Sequence, residues 1–425
     1  MSLLRRPYVA YALFVLSLGA IGAVLLSCEA AMTIEARPDM RFYWALHGWE
    51  CAFDSVSAAT GCGLATHRWT DDLTSFGEFV VLIIGVLSTA GYLTALSCCL
   101  PRAGARGARG TTIAGIVAWI AVTGLIIALC MPPDQRVGAA STQASWTALL
   151  SLGSARVAEG GAAAVTAIFA AIGGCGWFAL LFARRIAALG VTYKGVGGVL
   201  LSYGVIVVCF AALLFVYDGR RGADLERGVV RGGLQPGEPS GSPGFGASLR
   251  AIIAAQCGGT VITPSETAPH RDTSRFVLGS AVLLGGVFGA PGGGVLVPAS
   301  LALALWLAGR RDATRAWLKI TRQTLIFAVL ATLIVALGLL LIEQKTASAF
   351  SAIPTFADAW LDAASAIGGA NLTSDLAAAV TDRSLSSGIR TPSDQYQYGM
   401  LWLMAAMLVG RITPLWILGR AARVA

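Results

Sequence analysis

Charge is missing from long stretches of this chain. Residues 7–28, 79–100, 111–133, 160–183, 195–217, 276–309 and 323–342 contain no Asp, Glu, Lys or Arg, and 395–419 contains only Arg411. A helix needs about 20 mostly apolar residues to cross the hydrocarbon core of a bilayer. The pattern therefore predicts an all-α integral membrane protein with eight transmembrane helices and both termini on one side. The run 276–309 is too long for one straight span. Within it, residues 285–294 include six glycines and one proline, so the helix must break there.

The charges between the runs are sorted by side. Three connections are short and basic: 101–110 (Arg102, Arg106, Arg109), 184–194 (Arg184, Arg185, Lys194) and 310–322 (Arg310, Arg311, Arg315, Lys319, Arg322). Their only acid is Asp312. Arg5, Arg6, Arg420 and Arg423 share that side, and the positive-inside rule makes it cytoplasmic. The expected location is the cell (inner) membrane, multi-pass, with both termini cytoplasmic. Composition agrees: charged residues are 13% against a usual ~25%, hydrophobic residues are 56%, and mean hydropathy is +0.71. The net charge of +8 is thus topological and implies no nucleic-acid partner. The start of the chain, with Arg5 and Arg6 before an apolar run, mimics a signal peptide. The run 7–28 is too long for that, and Cys28-Glu29-Ala30 is not a small-residue cleavage site, so it reads as an uncleaved first span.

The outer connections follow one plan. Segments 42–66, 141–158, 246–263 and 355–374 each hold a helix-compatible stretch too short to span. Each closes on small residues: Thr60-Gly61-Cys62-Gly63, Gly153-Ser154-Ala155-Arg156, Cys257-Gly258-Gly259-Thr260 and Gly368-Gly369-Ala370-Asn371. A span follows each. The unit of span, re-entrant pore helix, small-residue loop and span recurs four times, as pore repeats over 1–100, 101–190, 191–310 and 311–425. Non-helical backbone at membrane depth survives only where it is buried in protein or lines water. Four such loops can meet on a pseudo-fourfold axis and replace the hydration shell of a monovalent cation with carbonyls. Short re-entrant helices add their negative C-terminal ends. The expected cargo is K+ (or Na+), with no cofactor.

Individual side chains leave alternatives open. Asp54, Asp358 and Asp362 fall on re-entrant helices near the outer pore mouth, where they either concentrate cations or are merely solvated or capping. Arg156 either projects to the axis or turns outward to pair with Glu159. Arg411, inside a span, must face protein or water. Cys62 and Cys257 lie in loops one and three; they fit soft-metal transport less well than loops with their backbones on the axis and their thiols packed behind. No CxxC or Cys/His metal spacing occurs among the nine Cys and three His. No nucleophile–base set, paired carboxylates or cofactor motif stands out, so the chain is not read as an enzyme.

These motifs together resemble the Trk/Ktr/HKT potassium-transporter superfamily. Residues 53–64 look like its first pore loop and 360–369 like its fourth. Residues 405–415, with Gly410-Arg411-x-x-Pro414-Leu415, are similar to its last span; 286–294 match its broken third-repeat span and 172–177 its second-repeat span. The resemblance implies one filter glycine per loop. Gly63 and Gly259 fit; Arg156 and Asn371 stand at the other two places, and Leu296 stands where the family keeps a lysine. It further implies a flexible intramembrane gate at Gly289, Pro291, Gly292, Gly293 and Gly294, with Arg411 as a pore-lining electrostatic element beneath the filter. It also implies a homodimer and a cytoplasmic nucleotide-binding regulatory subunit.

Two functions follow. One is uptake of a monovalent cation, foremost K+, through a central pore with a degenerate filter. The other is a non-conducting structural or regulatory subunit of a larger membrane complex, favoured by Arg156, Asn371 and Leu296. A guanidinium on the axis opposes cation entry by several kcal/mol at ~4 Å and intermediate dielectric.

Overall fold

Length and apolarity decide the helices. In the computed structural model the described residues are 6–33, 44–62, 64, 73–99, 122, 193–226, 272–286, 294–343, 355–369 and 394–421, with 245, 248, 249, 252, 253 and 256. They form α1 (Pro7–Leu26), α2 (Trp44–Thr60), α3 (Ser75–Cys99), α4 (Tyr193–Glu226), α5 (Asp272–Leu284), α6 (Leu296–Leu307), α7 (Arg311–Glu343), α8 (Phe356–Gly368) and α9 (Asp394–Ala421). Among the described residues no strand forms; one isolated bridge joins Met32 to Leu73.

Among the described residues five helices are long and apolar enough to cross a membrane: Pro7–Leu26, Ser75–Leu96, Gly195–Tyr217, Arg311–Ile342 and Tyr398–Gly419. Four overlap a charge-free run, and the fifth overlaps 395–419, whose one charge is Arg411. Their outward faces carry Leu13, Ile21, Val24, Leu201, Val205, Leu330 and Leu341 in the open. In water such surface would be unstable; against lipid it is the ordinary solvent-facing side. Pro7 starts α1 at the first helical position, where its missing N–H costs nothing.

α2 has 17 residues and α8 has 13, about 25 and 20 Å at 1.5 Å per residue. Both lengths fall short of the ~30 Å hydrocarbon core. α2 packs on α1, α3 and α9, and α8 on α5, α7 and α9. Span, short helix and span therefore occur in order at both ends of the chain, as α1–α2–α3 and α7–α8–α9. The third unit contributes α4 and the pair α5–α6. Its short helix is represented by helical positions Ser248, Leu249, Ile252, Ile253 and Gln256. The second unit's expected spans, 111–133 and 160–183, and its short helix in 141–158 lie outside the described residues, apart from Val122.

The break predicted in 276–309 is present. α5 ends at Leu284, α6 begins at Leu296, and Gly285, Gly286 and Gly294 are not helical. Val295 N–H donates to the Leu283 carbonyl at 3.3 Å, which ties the start of α6 to the end of α5. Gly294 has φ +112°, and a Cβ there would meet the Leu284 carbonyl at 2.6 Å. Only glycine fits this crossing.

Candidate pore site

Two short helices end at one place, and they end alike. At α2, Cys62 N–H donates to the Ser57 carbonyl at 3.0 Å and Gly61 N–H to the Ala58 carbonyl at 3.2 Å, with Gly61 left-handed at φ 70°. This 6→1 and 5→2 pair is a Schellman cap. At α8, Gly369 is left-handed at φ 72°, and its N–H donates to the Ser365 carbonyl at 3.0 Å, the simpler 5→1 cap. The Cys62 thiol donates to the same Ser365 carbonyl at 3.3 Å. Loop one is thereby fastened to the end of α8, with the thiol packed against protein backbone.

α9 runs directly against this junction. At Gly410 the Ile367 carbonyl of α8 occupies the space a Cβ would need. The next residue, Arg411, is buried. Its Nε–H donates to the Tyr11 hydroxyl at 3.2 Å, and its Cζ lies 3.9 Å from the centre of the Tyr92 ring. The guanidinium also lies beside Gly61. Tyr11 Oη is 3.3 Å from Ser88 Oγ, and Ser88 donates to the Ala59 carbonyl. A polar relay thus runs from α9 through α1 and α3 to one of the last carbonyls of α2, which the helix leaves without an internal partner.

These parts surround a cavity of about 30 Å³. Thr60 and Cys62 line it from loop one, Gly368 and Gly369 from loop four, and Gly294 and Val295 from the break. Thr324 and Phe327 close it from α7, and Gly410, Arg411 and Pro414 from α9. A cavity of this size has room for a water molecule but falls far below the ~300 Å³ of a small-molecule site.

Of the sequence-predicted residues, Thr60, Gly61, Cys62, Gly368, Gly369, Gly294 and Arg411 converge here. The expected positions Gly63, Gly153, Ser154, Ala155, Arg156, Cys257, Gly258, Gly259, Thr260, Ala370, Asn371, Gly289, Pro291, Gly292 and Gly293 lie outside the described residues. Asp54, Asp358 and Asp362 do not line the cavity, and all three are buried. Asp358 forms a capping box at the start of α8: Thr355 N–H donates to its Oδ2 at 2.9 Å. It also pairs with Arg275 of α5.

Four contributors were not read from the sequence as site residues: Tyr11, Tyr92, Ser88 and Ser365. Tyr11, Tyr92 and Ser88 sit in charge-free runs, where they pass for packing. Their signal is a hydroxyl at membrane depth, which needs a partner. Ser365 carries a different signal. Counting back from the two left-handed glycines gives Glu50-x3-Asp54-x2-Ser57-x3-Gly61 and Asp358-x3-Asp362-x2-Ser365-x3-Gly369. Acid, Asp and Ser recur at the same offsets on one helix face, and all six are buried. α2 and α8 thus share one pattern of buried polar residues ahead of a left-handed glycine. The same count places Gly63 and Asn371 two residues beyond their glycines.

No protein-family model matches the sequence, and no curated protein does. The solved structures that resemble the chain include the crystal structure of the potassium transporter TrkH from Vibrio parahaemolyticus. Identity is 16%, the match covers 97% of this chain and 83% of that one, and the TM-score is 0.60. The likeness is one of fold.

Proposed function

We propose that the protein is a Trk/Ktr-like transporter that carries a monovalent cation, foremost K+, inward through the centre of one chain. The observation that supports this is the meeting of two short-helix C-terminal ends, each closed by a left-handed glycine, on a cavity beside a broken span. Helix C-termini carry partial negative charge, and free carbonyls beyond a left-handed glycine can replace water around a cation. The likeness to a potassium transporter points the same way. The membrane potential supplies about 2.3 kcal/mol per charge per 100 mV.

In this reading the four loops that carry Gly63, Arg156, Gly259 and Asn371 at their filter positions form the filter. Gly289, Pro291 and Gly292–Gly294 form the gate below it, and Arg411 sets the charge of the pore wall. Eight spans, both termini in the cytoplasm of the inner membrane, a homodimer and a cytoplasmic nucleotide-binding partner complete it. Asp54 and Asp362 act from within the protein on the field at the pore mouth. Asp358 acts chiefly by holding α8 in place.

The second reading, a non-conducting subunit, is favoured by Arg156 and Asn371 standing where the first and third loops have glycine. Purified protein in liposomes separates the two. Wild type and Arg156→Gly are measured for K+, Na+ and Cl− flux under an imposed potential. K+ flux through the wild type supports transport. Flux only through Arg156→Gly identifies a pore closed by its own guanidinium. Silence from both, with folding intact, leaves the structural subunit.

A further inference from the structure

The first third of α7 is charged on one face. Arg311, Arg315, Lys319 and Arg322 are exposed and spaced i, i+4, i+8 and i+11, which puts them within about 80° of one another around the axis. Arg310 precedes them, also exposed. Asp312 is the one acid in this stretch, and among the described residues none of the five cations is held in an ion pair.

Further along α7 the same face continues as Leu325, Ile326, Leu330 and Leu337, all exposed. The buried face opposite, Trp317, Ile320, Thr324 and Ala328, packs inward, and Thr324 and Ala328 reach the cavity wall. The basic stripe therefore looks away from the pore, in line with the surface that meets lipid. Leu318 is exposed within the stripe. Trp306 and Leu307 are exposed at the end of α6, joined to α7 by a turn at Gly309. Exposed Trp and Leu beside exposed Arg and Lys is the side-chain mix of a membrane–water interface. The positive-inside rule asks only for charge somewhere in the connection. It does not ask that four charges share a helical face with the lipid-facing leucines.

We propose that this stripe is a binding site for anionic phospholipid headgroups. Arg311, Arg315, Lys319 and Arg322 contact lipid phosphates of the leaflet that the charge asymmetry assigns to the cytoplasm. Trp306 and Leu318 rest among the upper acyl carbons. The site depends on the chain lying in a membrane and not on whether the pore conducts.

The experiment is thermal unfolding of full-length protein in neutral detergent. Phosphatidylglycerol, phosphatidylcholine or soluble polyglutamate is added at equal concentration. Phosphatidylglycerol should raise the wild-type Tm and phosphatidylcholine should not. The variant R315Q/K319Q/R322Q should lose more than half of that rise, while R315K/R322K keeps it. If the triple variant does not fold, R315Q and R322Q singly should each lose part of it. An equal rise in wild type and glutamine variants overturns the proposal, as does no rise at all. A rise given by polyglutamate and not by phosphatidylglycerol also overturns it, and marks the face as one for an acidic protein.

Discussion

Gly410 and Arg411 hold adjacent positions on α9 with opposite demands: one must have no side chain, the other must hold a charge inside the protein. The Ile367 carbonyl already fills the Cβ position of Gly410. Gly410→Ala should therefore destabilise the fold by about 1–3 kcal/mol, because backbone has to move. Gly204→Ala on α4, where nothing lies within 4 Å, should stay within about 1 kcal/mol of wild type. Thermal unfolding in detergent compares them; equal effects would sink the packing argument. Arg411 is held by the Tyr11 hydroxyl and the Tyr92 face. Tyr11→Phe should cost about 1–3 kcal/mol by leaving the Nε–H without that acceptor. Tyr92→Leu should cost about 2 kcal/mol or less. Both act through one guanidinium, so their effects should shrink together when Arg411 is Met; unchanged costs in that background would show that the tyrosines act elsewhere.

At the scale of the element, α8 is fixed at both ends. Its start has the Thr355–Asp358 capping box and the Asp358–Arg275 pair; its end has the Gly369 cap and the Cys62 thiol. Asp358→Ala should destabilise more than Arg275→Gln. The first removes cap and ion pair together, the cap alone being worth about 1 kcal/mol, whereas the second removes the ion pair and leaves the cap in place. Melting curves giving the reverse order would refute this. The boundaries of such elements were only partly legible in sequence. Thr355-x-x-Asp358 is a readable helix start, and the glycines of 285–294 announced the break. The extents of α4 and α7 were not readable from charge-free runs, because a helix continues unhindered into charged sequence once it leaves lipid. α4 runs on to Glu226, and α7 begins at Arg311 rather than near residue 323. At the site, small residues were legible because loops at membrane depth demand them. The clamp on Arg411 was not, because its partners lie 400 and 319 positions away along the chain.

For the whole molecule, the alternation of basic and acidic connections makes a topological prediction. In a background freed of the native cysteines, Pro236→Cys should react with a membrane-impermeant maleimide added to intact cells, and Gly104→Cys only once the membrane has been opened. Reaction from the same face would rule out eight spans with both ends inside. The third unit is where such a check matters most, because α5 and α6 are separated by non-helical Gly285, Gly286 and Gly294 and do not form one rod.

The bond from Arg411 to Tyr11 joins α9 to α1 across 400 positions of the chain. At roughly 5–20 residues per second, Tyr11 waits about 20–80 s for its partner. Until then α2 has Ser88 on its final turn but no guanidinium beside Gly61, and the cavity lacks the wall formed by α9. A chain whose synthesis stops early carries the first loop without the last. The cavity is therefore incomplete in every product cut before Gly410, and this junction closes only in the order that translation sets.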